Sequence, residues 1–362
     1  MKSEIKTAII LGIVIAAGVS LVSVYLGSIE QEAVQEFTVS PVDKSNFRVA
    51  PEIVGIAEYI NTTPEELNTK IQDSVVLYDI WTYSCINCIR TLPFITAWDD
   101  KYSDQGLLII GIHSPEFEFE KDPVNVIAAM EKHGIEYPVV MDNDMDTWKA
   151  FENRYWPRKY IADHEGYIRY DHIGEGAYQE TERVIQELLA ERAFAMQSSM
   201  PSQDLVELES FQHTSSRTPE LYLGYKLAAG RSQLGNDEGF RPNQSITYSS
   251  IPDTLDTHKF YMVGTWQNGP ESMKLESDSG AIHLQYFAKE VNIVTEGVGT
   301  IEVYLDGEPI ATNYQGYSLD DYILEVSEPG LYNIVTSDVA GTHMLELRIT
   351  TPGVEIFTYT FG

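Results

Sequence analysis

The chain of 362 residues contains two cysteines, Cys85 and Cys88, which are separated by two residues. Two thiols at positions i and i+3 in the first turn of a helix lie on one face and can close a small disulfide ring. The helix dipole and the unpaired amide groups of that turn stabilise a thiolate at the first cysteine. Such a thiolate attacks a partner disulfide, and the second cysteine resolves the mixed disulfide. The Cys85-Ile86-Asn87-Cys88 motif therefore predicts thiol–disulfide exchange.

Three other readings of the cysteine pair lead to different chemistry. Haem attachment needs a histidine directly after the second cysteine, and residue 89 is isoleucine. Zinc needs two further ligands; His113 is one candidate, but no second ligand pairs with it in the sequence. An inert structural disulfide stays open, because a cysteine pair outside the cell can remain oxidised. We therefore predict no bound metal and no cofactor.

Strands and helices alternate around the motif. Residues 75–81, apolar apart from Asp79, predict a strand, and residues 107–112 are an apolar run typical of a strand in a parallel sheet that is covered on both faces. The cysteine helix is expected to reach about Tyr102, and a last helix covers about 178–194. A capping box at Thr63-Pro64-Glu65-Glu66 predicts a helix start. Further helices are predicted at 122–134 and 147–151, and further strands at 139–141, 160–162 and 167–170. This order predicts an α/β domain whose sheet ends in an antiparallel pair, over residues 51–196.

The second half, residues 210–362, has a different pattern and follows a polar linker at 197–209. Asp306-Gly307 indicates a tight hairpin between two of its strands. Many short strands with such turns predict an all-β sandwich of the jelly-roll type. The predicted strands are 259–266, 281–287, 291–294, 300–305, 322–326, 331–335, 344–349 and 354–361.

The N-terminal segment and the net charge indicate where the chain acts. Residues 8–26 are almost wholly apolar, and 19 residues of helix span about 28 Å, close to the thickness of a bilayer core. Lysines precede the segment and glutamates follow it, so the positive-inside rule places residues 1–6 in the cytoplasm. We expect a signal anchor at 7–29, a linker at 30–50 and extracytoplasmic domains; a cleaved signal peptide is the alternative. The net charge of −31 argues against nucleic-acid binding.

Several separated motifs resemble one known family. The segment Trp81-Thr82-Tyr83-Ser84-Cys85-Ile86-Asn87-Cys88-Ile89-Arg90-Thr91-Leu92-Pro93 resembles the active-site segment of the exported thioredoxin-like domain of DipZ proteins, a family of cytochrome c biogenesis and thiol–disulfide exchange. The resemblance continues in the same order through residues 111–117, 142–144, 153–157, 166, 169–170 and 174–176.

The resemblance implies the roles of the site residues. Cys85 would be the nucleophile and Cys88 the resolving thiol, and Asp79 would be the buried carboxylate that accepts the proton of the resolving thiol. Burial would raise the pKa of Asp79 toward the working pH, which suits a general base. Pro157 would be the proline held in the cis form, facing the cysteines. Trp156 and Trp81 would lie beside the site and help to bind a substrate protein; for Trp81, simple packing in the core is the alternative. His113 and Glu116 follow a strand end and are not assigned to the catalytic set.

Two expectations concern partners. DipZ proteins carry an electron-conducting membrane domain of several helices, and the single apolar segment here implies a separate membrane electron donor of the DipZ or CcdA type. In the same family the second half is similar to carbohydrate-binding modules. Tyr222, Tyr225, Trp266 and Tyr286 are candidates for stacking on glycans, with packing in the sandwich core as the alternative reading.

The sequence therefore predicts a membrane-anchored, extracytoplasmic thiol–disulfide oxidoreductase that acts on envelope proteins. Two alternatives stay open: a glycan-binding envelope protein with a structural disulfide, and a thiol peroxidase. The peroxidase needs a proline and a threonine just before the nucleophile, where this chain has Tyr83-Ser84.

Overall fold

The computed structural model describes residues 42–211 and 216–362. The predicted anchor at 7–29 and the first part of the 30–50 linker lie outside these residues. Within the described part of the chain, no helix has the length and apolarity needed to cross a membrane. Residues Asn46–Gly362 form one compact unit.

The first region has an α/β architecture with one mixed sheet. Its six strands lie in the order β1-β4-β3-β2-β5-β6, in which β2, β3 and β4 are parallel and the other pairings are antiparallel. The strands are β1 (Glu58–Ile60), β2 (Val75–Trp81), β3 (Leu107–His113), β4 (Val139–Met141), β5 (Arg158–Ala162) and β6 (Ile168–Ile173). The helices are α1 (Pro64–Ile71), α2 (Ile86–Tyr102), α3 (Pro123–His133), α4 (Asp146–Ala150) and α5 (Tyr178–Met196).

Local sequence signals account for the start and end of several helices. Thr63 and Glu66 form a reciprocal capping box at the start of α1, with Pro64 as the first helical residue. Asp122 caps α3 by accepting the amide of Val124, and Gly134 ends that helix with a φ of 66°. The sequence does not predict β1, because three residues, one exposed and two half-buried, give no periodic signal.

The sheet is buried on both faces, as the apolar strands predict. All seven residues of β2 and all seven of β3 are buried. Trp81, Trp98 and Tyr102 belong to the core on one face, while Tyr78 and Phe151 belong to the core on the other. This packing fixes β2, and β2 leads directly into the cysteine motif.

The second region is β-rich and antiparallel. Its strands follow the path β13-β12-β15-β11-β16-β10-β9-β8, with β14 beside β12 and β7 beside β16. The elements are β7 (Leu221–Tyr222), α6 (Tyr225–Ala228), β8 (Ser245–Tyr248), β9 (Phe260–Asn268), β10 (Met273–Leu275), β11 (Gly280–Glu296), β12 (Gly299–Leu305), β13 (Glu308–Pro309), β14 (Ile323–Val326), β15 (Gly330–Ile349) and β16 (Glu355–Phe361).

Two pairs of predicted strands are each one long strand. Residues 281–287 and 291–294 both belong to β11, whose pairing register shifts between Ala288 and Glu290. Residues 331–335 and 344–349 likewise both belong to β15. The predicted hairpin lies between β12 and β13, and both turn residues have positive φ, 54° at Asp306 and 91° at Gly307.

The two regions pack against each other beside the cysteine motif. Phe117 and Phe119, which follow β3, lie 5.1 and 4.8 Å from the ring of Phe357 in β16. Arg90 of α2 donates to Glu290 of β11 at 2.5 Å. Both contacts involve buried or half-buried side chains. The β-rich region therefore packs against α2 and the segment after β3.

Candidate active site

The cysteine pair lies where β2 leads into α2. Cys85 is the residue that caps α2, with an extended backbone (φ −84°, ψ 118°), and its side chain makes no capping hydrogen bond. Its thiol therefore lies at the positive end of a 17-residue helix. Cys85 is partly exposed, whereas Cys88 is 1% exposed, and both thiols are free. The accessible thiol is thus the one that lies at the start of the helix.

Cys88 lies behind Cys85 in the protein core. Burial raises the pKa of the Cys88 thiol well above its ordinary value, and a hydrogen bond with the Cys85 thiol raises it further. The negative field of Asp79 acts in the same direction, while the amide of Thr82 opposes it. Cys88 is therefore protonated at neutral pH and needs a base before it can attack.

Asp79 supplies a carboxyl group at this buried end of the site. Asp79 lies in β2, is 1% exposed, and its Oδ1 has no hydrogen-bond partner among the described residues. Burial raises the pKa of Asp79 from its ordinary 3.8 to about 6, and the charge of Lys159 limits the rise. A carboxyl group with such a pKa is ionised but basic at pH 7, which is what proton transfer from a thiol requires.

Lys159 is a member of the site that the sequence motifs do not predict. It pairs directly with Asp79 across the β2–β5 ladder, and its side chain is fully buried. Its Nζ donates to the carbonyl of Gly174 at 3.2 Å. Burial lowers the pKa of Lys159, while the fields of Asp79 and Cys88 raise it. In sequence Lys159 lies just before the predicted strand at 160–162, and its position two residues after Pro157 was the available signal.

The Trp156-Pro157 peptide bond is cis, as the resemblance implies. Arg158 pairs with Ile80, so Pro157 lies beside the end of β2, just before the cysteine loop. Trp156 is half-buried and donates from Nε1 to the carbonyl of Ser114 at 2.9 Å. Pro157 is buried, and its carbonyl accepts the amide of Gly174 at 2.8 Å.

The position of Trp81 does not agree with the expected contact to a substrate. Trp81 is fully buried, and its ring lies edge-on to His113 at 5.2 Å. A side chain without exposed surface packs the core below the site and does not touch a substrate protein. The competing reading of Trp81, core packing, describes its position.

His113 and Glu116 lie near the motif and contact Tyr83 and Tyr222, respectively. His113 is fully buried beneath the ring of Tyr83, and burial lowers its pKa to about 3, so it is neutral at pH 7. Glu116 accepts a hydrogen bond from Tyr222 of the β-rich region at 2.7 Å. Both residues therefore serve packing and contact between the two regions.

Comparison with family descriptions agrees with this division of the chain. Residues 32–189 match the family described as Redoxin, and residues 218–362 match the family described as Thioredoxin like C-terminal domain. A solved structure of a thioredoxin-like protein in the oxidized form is 30% identical, covers 40% of this chain and 97% of its own, and superposes with a TM-score of 0.37.

Two named relatives cover different parts of the chain. Protein DipZ of Mycobacterium tuberculosis is 33% identical over 317 residues, which is 86% of this chain and 43% of DipZ. The thiol-disulfide oxidoreductase YkuV of Bacillus subtilis is 32% identical over 143 residues, 39% of this chain and 94% of YkuV. This chain thus spans less than half the length of its DipZ relatives and nearly all of YkuV. With a partly exposed cysteine at the helix start and a buried thiol and carboxyl group behind it, the chain belongs to the thiol–disulfide oxidoreductases that include YkuV, and it is similar to DipZ over most of its own length.

Proposed function

We propose that the chain is a membrane-tethered, extracytoplasmic oxidoreductase that exchanges disulfides with envelope proteins through Cys85 and Cys88. The observation that carries the proposal is the difference in exposure of the two thiols at one helix start: Cys85 is accessible, and Cys88 is buried next to Asp79. An inert disulfide would need neither an accessible sulfur nor a basic carboxyl group behind it.

The reaction proceeds in two displacements. The Cys85 thiolate attacks one sulfur of a client disulfide, so that a mixed disulfide forms and the other client sulfur leaves as a thiolate. Asp79 then takes the proton of Cys88, and the Cys88 thiolate attacks the Cys85 sulfur. The second client sulfur leaves as a thiolate, and the Cys85–Cys88 pair is oxidised by two electrons while the client disulfide is reduced by two. The same steps in reverse oxidise a client dithiol.

The apolar segment at 8–26 supports the tether, and the change from lysines before it to glutamates after it supports an extracytoplasmic site. As a reductase, the chain needs electrons from the cytoplasm after each turnover. A separate membrane protein of the DipZ or CcdA type would deliver them to the Cys85–Cys88 disulfide by the same exchange chemistry.

The β-rich region serves in this proposal as a docking module of sandwich type. Its expected glycan contacts need revision, because Trp266 and Tyr286 are buried in the core and the Tyr222 hydroxyl is bonded to Glu116 and Glu220. Among the four aromatic candidates, Tyr225 alone keeps a partly exposed ring. A glycan contact would therefore depend on Tyr225 and on polar surface loops.

One experiment tests the chemistry and the location together. Spheroplasts that contain the full chain, reduced and washed, should reduce a disulfide-bonded protein such as insulin supplied in the medium. Cells without the chain and cells pretreated with an impermeant maleimide are the controls. Two client thiols should appear for each chain oxidised. Reduction that occurs only after lysis would contradict the extracytoplasmic site, and no reduction in either case would contradict the activity.

A further inference from the structure

A second buried carboxylate, Glu120, lies next to the cysteine motif and has no part in the proton transfer described above. Glu120 is fully buried in a short 3-10 turn, Glu118–Lys121, that precedes α3. Both of its oxygens are engaged: Oε1 accepts from Ser84, and Oε2 accepts the amides of Glu116 and Phe117 at 2.6 and 3.0 Å. Burial raises the pKa of Glu120, and these hydrogen bonds oppose the rise.

Ser84 is the residue directly before Cys85. Its amide and its hydroxyl both donate to Oε1 of Glu120, at 3.3 and 2.5 Å. Ser84 is itself buried, so water does not compete for these bonds. These two hydrogen bonds hold both the backbone and the side chain of Ser84, and so hold the backbone that leads into Cys85.

The segment that carries Glu120 is held on its other side by the β-rich region. Phe117 and Phe119 pack on Phe357, and the amide of Glu118 donates to Glu271 at 3.0 Å. Tyr222 holds the side chain of Glu116. Glu120 therefore connects two parts of the structure. Its own segment packs against the β-rich region, and its side chain binds Ser84, the residue before the accessible thiol.

We propose that Glu120 is a positioning residue: through Ser84 it holds the Cys85 sulfur at the start of α2, and the β-rich region keeps Glu120 in place. This inference rests on the proposed function only in taking Cys85 as the nucleophile. It assigns the β-rich region a part in the reactivity of the thiol that does not depend on any sugar.

A positioning role and a purely electrostatic role predict opposite effects. Removing a nearby negative charge would, through space, favour the Cys85 thiolate and speed its alkylation. Loss of positioning would move the sulfur away from the helix terminus and slow its alkylation. Glutamine at position 120 also carries an NH2 group that must face one of the two donor sets, so it cannot replace both sets of bonds.

The test is the rate of Cys85 alkylation by iodoacetamide between pH 5 and 9, measured on the full chain with Cys88→Ser to isolate one thiol. In that background Glu120→Gln should slow alkylation at pH 7 by up to about tenfold and move the profile to higher pH. Ser84→Ala keeps the carboxylate and loses one hydrogen bond, so a smaller slowing, about threefold, is expected. Glu118→Gln, an exposed neighbour in the same turn, should leave the profile unchanged.

Faster or unchanged alkylation in folded Glu120→Gln would overturn the positioning role, and so would an unchanged rate in Ser84→Ala. If Glu120→Gln fails to fold, as its circular dichroism would show, Ser84→Ala decides alone. Alkylation does not require turnover of a client, so these outcomes are independent of whether the chain reduces disulfides. If the chain proved unable to reduce client disulfides, the expected alkylation profiles of these variants would be the same.

Discussion

Cys85→Ser is expected to abolish reduction of a protein disulfide, with turnover lowered by about a thousandfold or more, because a serine hydroxyl at pH 7 is no substitute for a thiolate. Cys88→Ser should fail at a different step. Cys85 still attacks, but without the resolving thiol the mixed disulfide with the client accumulates and is released only by added thiol. The measurement is the rate of insulin reduction together with mass spectrometry of the covalent complex.

Asn87→Ser is the matched control, because it places the same new side chain inside the motif and keeps both thiols. Its turnover should stay close to that of the unchanged chain. A covalent complex on Cys88 in the Cys85→Ser chain would reverse the assignment of nucleophile and resolving thiol. Equal turnover in all three variants would remove the cysteine pair from the mechanism.

Asp79→Asn is expected to slow resolution of the mixed disulfide by about 10- to 100-fold at pH 7, since general bases contribute on that order or more. The pKa of Asp79 is about 6, so the carboxylate form that accepts the Cys88 proton is present above pH 6. The difference between the two proteins should therefore shrink below pH 6, where Asp79 carries its own proton. Stopped-flow measurement of the resolving step across pH 5–8 gives the comparison.

The same substitution should stabilise the protein at neutral pH. Folding raises the pKa of Asp79 from 3.8 to about 6, so the folded chain holds this proton more tightly than the unfolded chain. The stability linked to this group is greatest below pH 4, falls between pH 4 and 6, and is lowest above pH 6. Between pH 4 and 6 this contribution to the free energy of unfolding falls by about 3 kcal/mol, because each unit of pKa shift corresponds to about 1.36 kcal/mol. Urea unfolding at pH 8 should show Asp79→Asn more stable by about 1–3 kcal/mol, with little change at pH 4.

Burial raises the pKa of Asp79 and the charge of Lys159 lowers it, and Lys159→Met separates these two effects. Without the buried cation, the pKa of Asp79 should rise further, so the resolving step should reach its half-maximal rate at higher pH. Arg158→Met is the control, because Arg158 pairs with the exposed Asp171. A resolving step in Asp79→Asn that matches the unchanged chain at every pH would show that Asp79 is not the base.

The sequence was most informative where local rules decide the structure. The capping box at Thr63, the Asp122-Pro123 start and Gly134 end of α3, and the Asp306-Gly307 hairpin all follow from the backbone needs of a few adjacent residues. The apolar runs of β2 and β3 likewise required a sheet covered on both faces. The resemblance to DipZ proteins added the expected roles of Asp79 and Pro157, which the spacing of the cysteines does not give.

Contacts between residues far apart in the chain were not accessible from the sequence. Lys159 is a cross-strand neighbour of Asp79, and Glu120 reaches Ser84 from 36 residues away, so neither has a local signature. Trp266 and Tyr286 alternate in strands as surface aromatics also do, and only the packing of the β-rich region shows that they are buried. The sequence pattern predicts two strands within each of the long strands β11 and β15. The shift in pairing register interrupts the alternation of side chains, as a turn would.

The reduction potential of the Cys85–Cys88 pair shows whether the pair is redox-active or a structural disulfide. It is measured by equilibrating the chain with glutathione or dithiothreitol buffers of graded potential. A redox-active couple in this fold should titrate reversibly with a midpoint between about −270 and −120 mV, the range of thioredoxin-like oxidoreductases. A pair that stays oxidised until well below about −300 mV would be a structural disulfide, and the oxidoreductase account would be wrong.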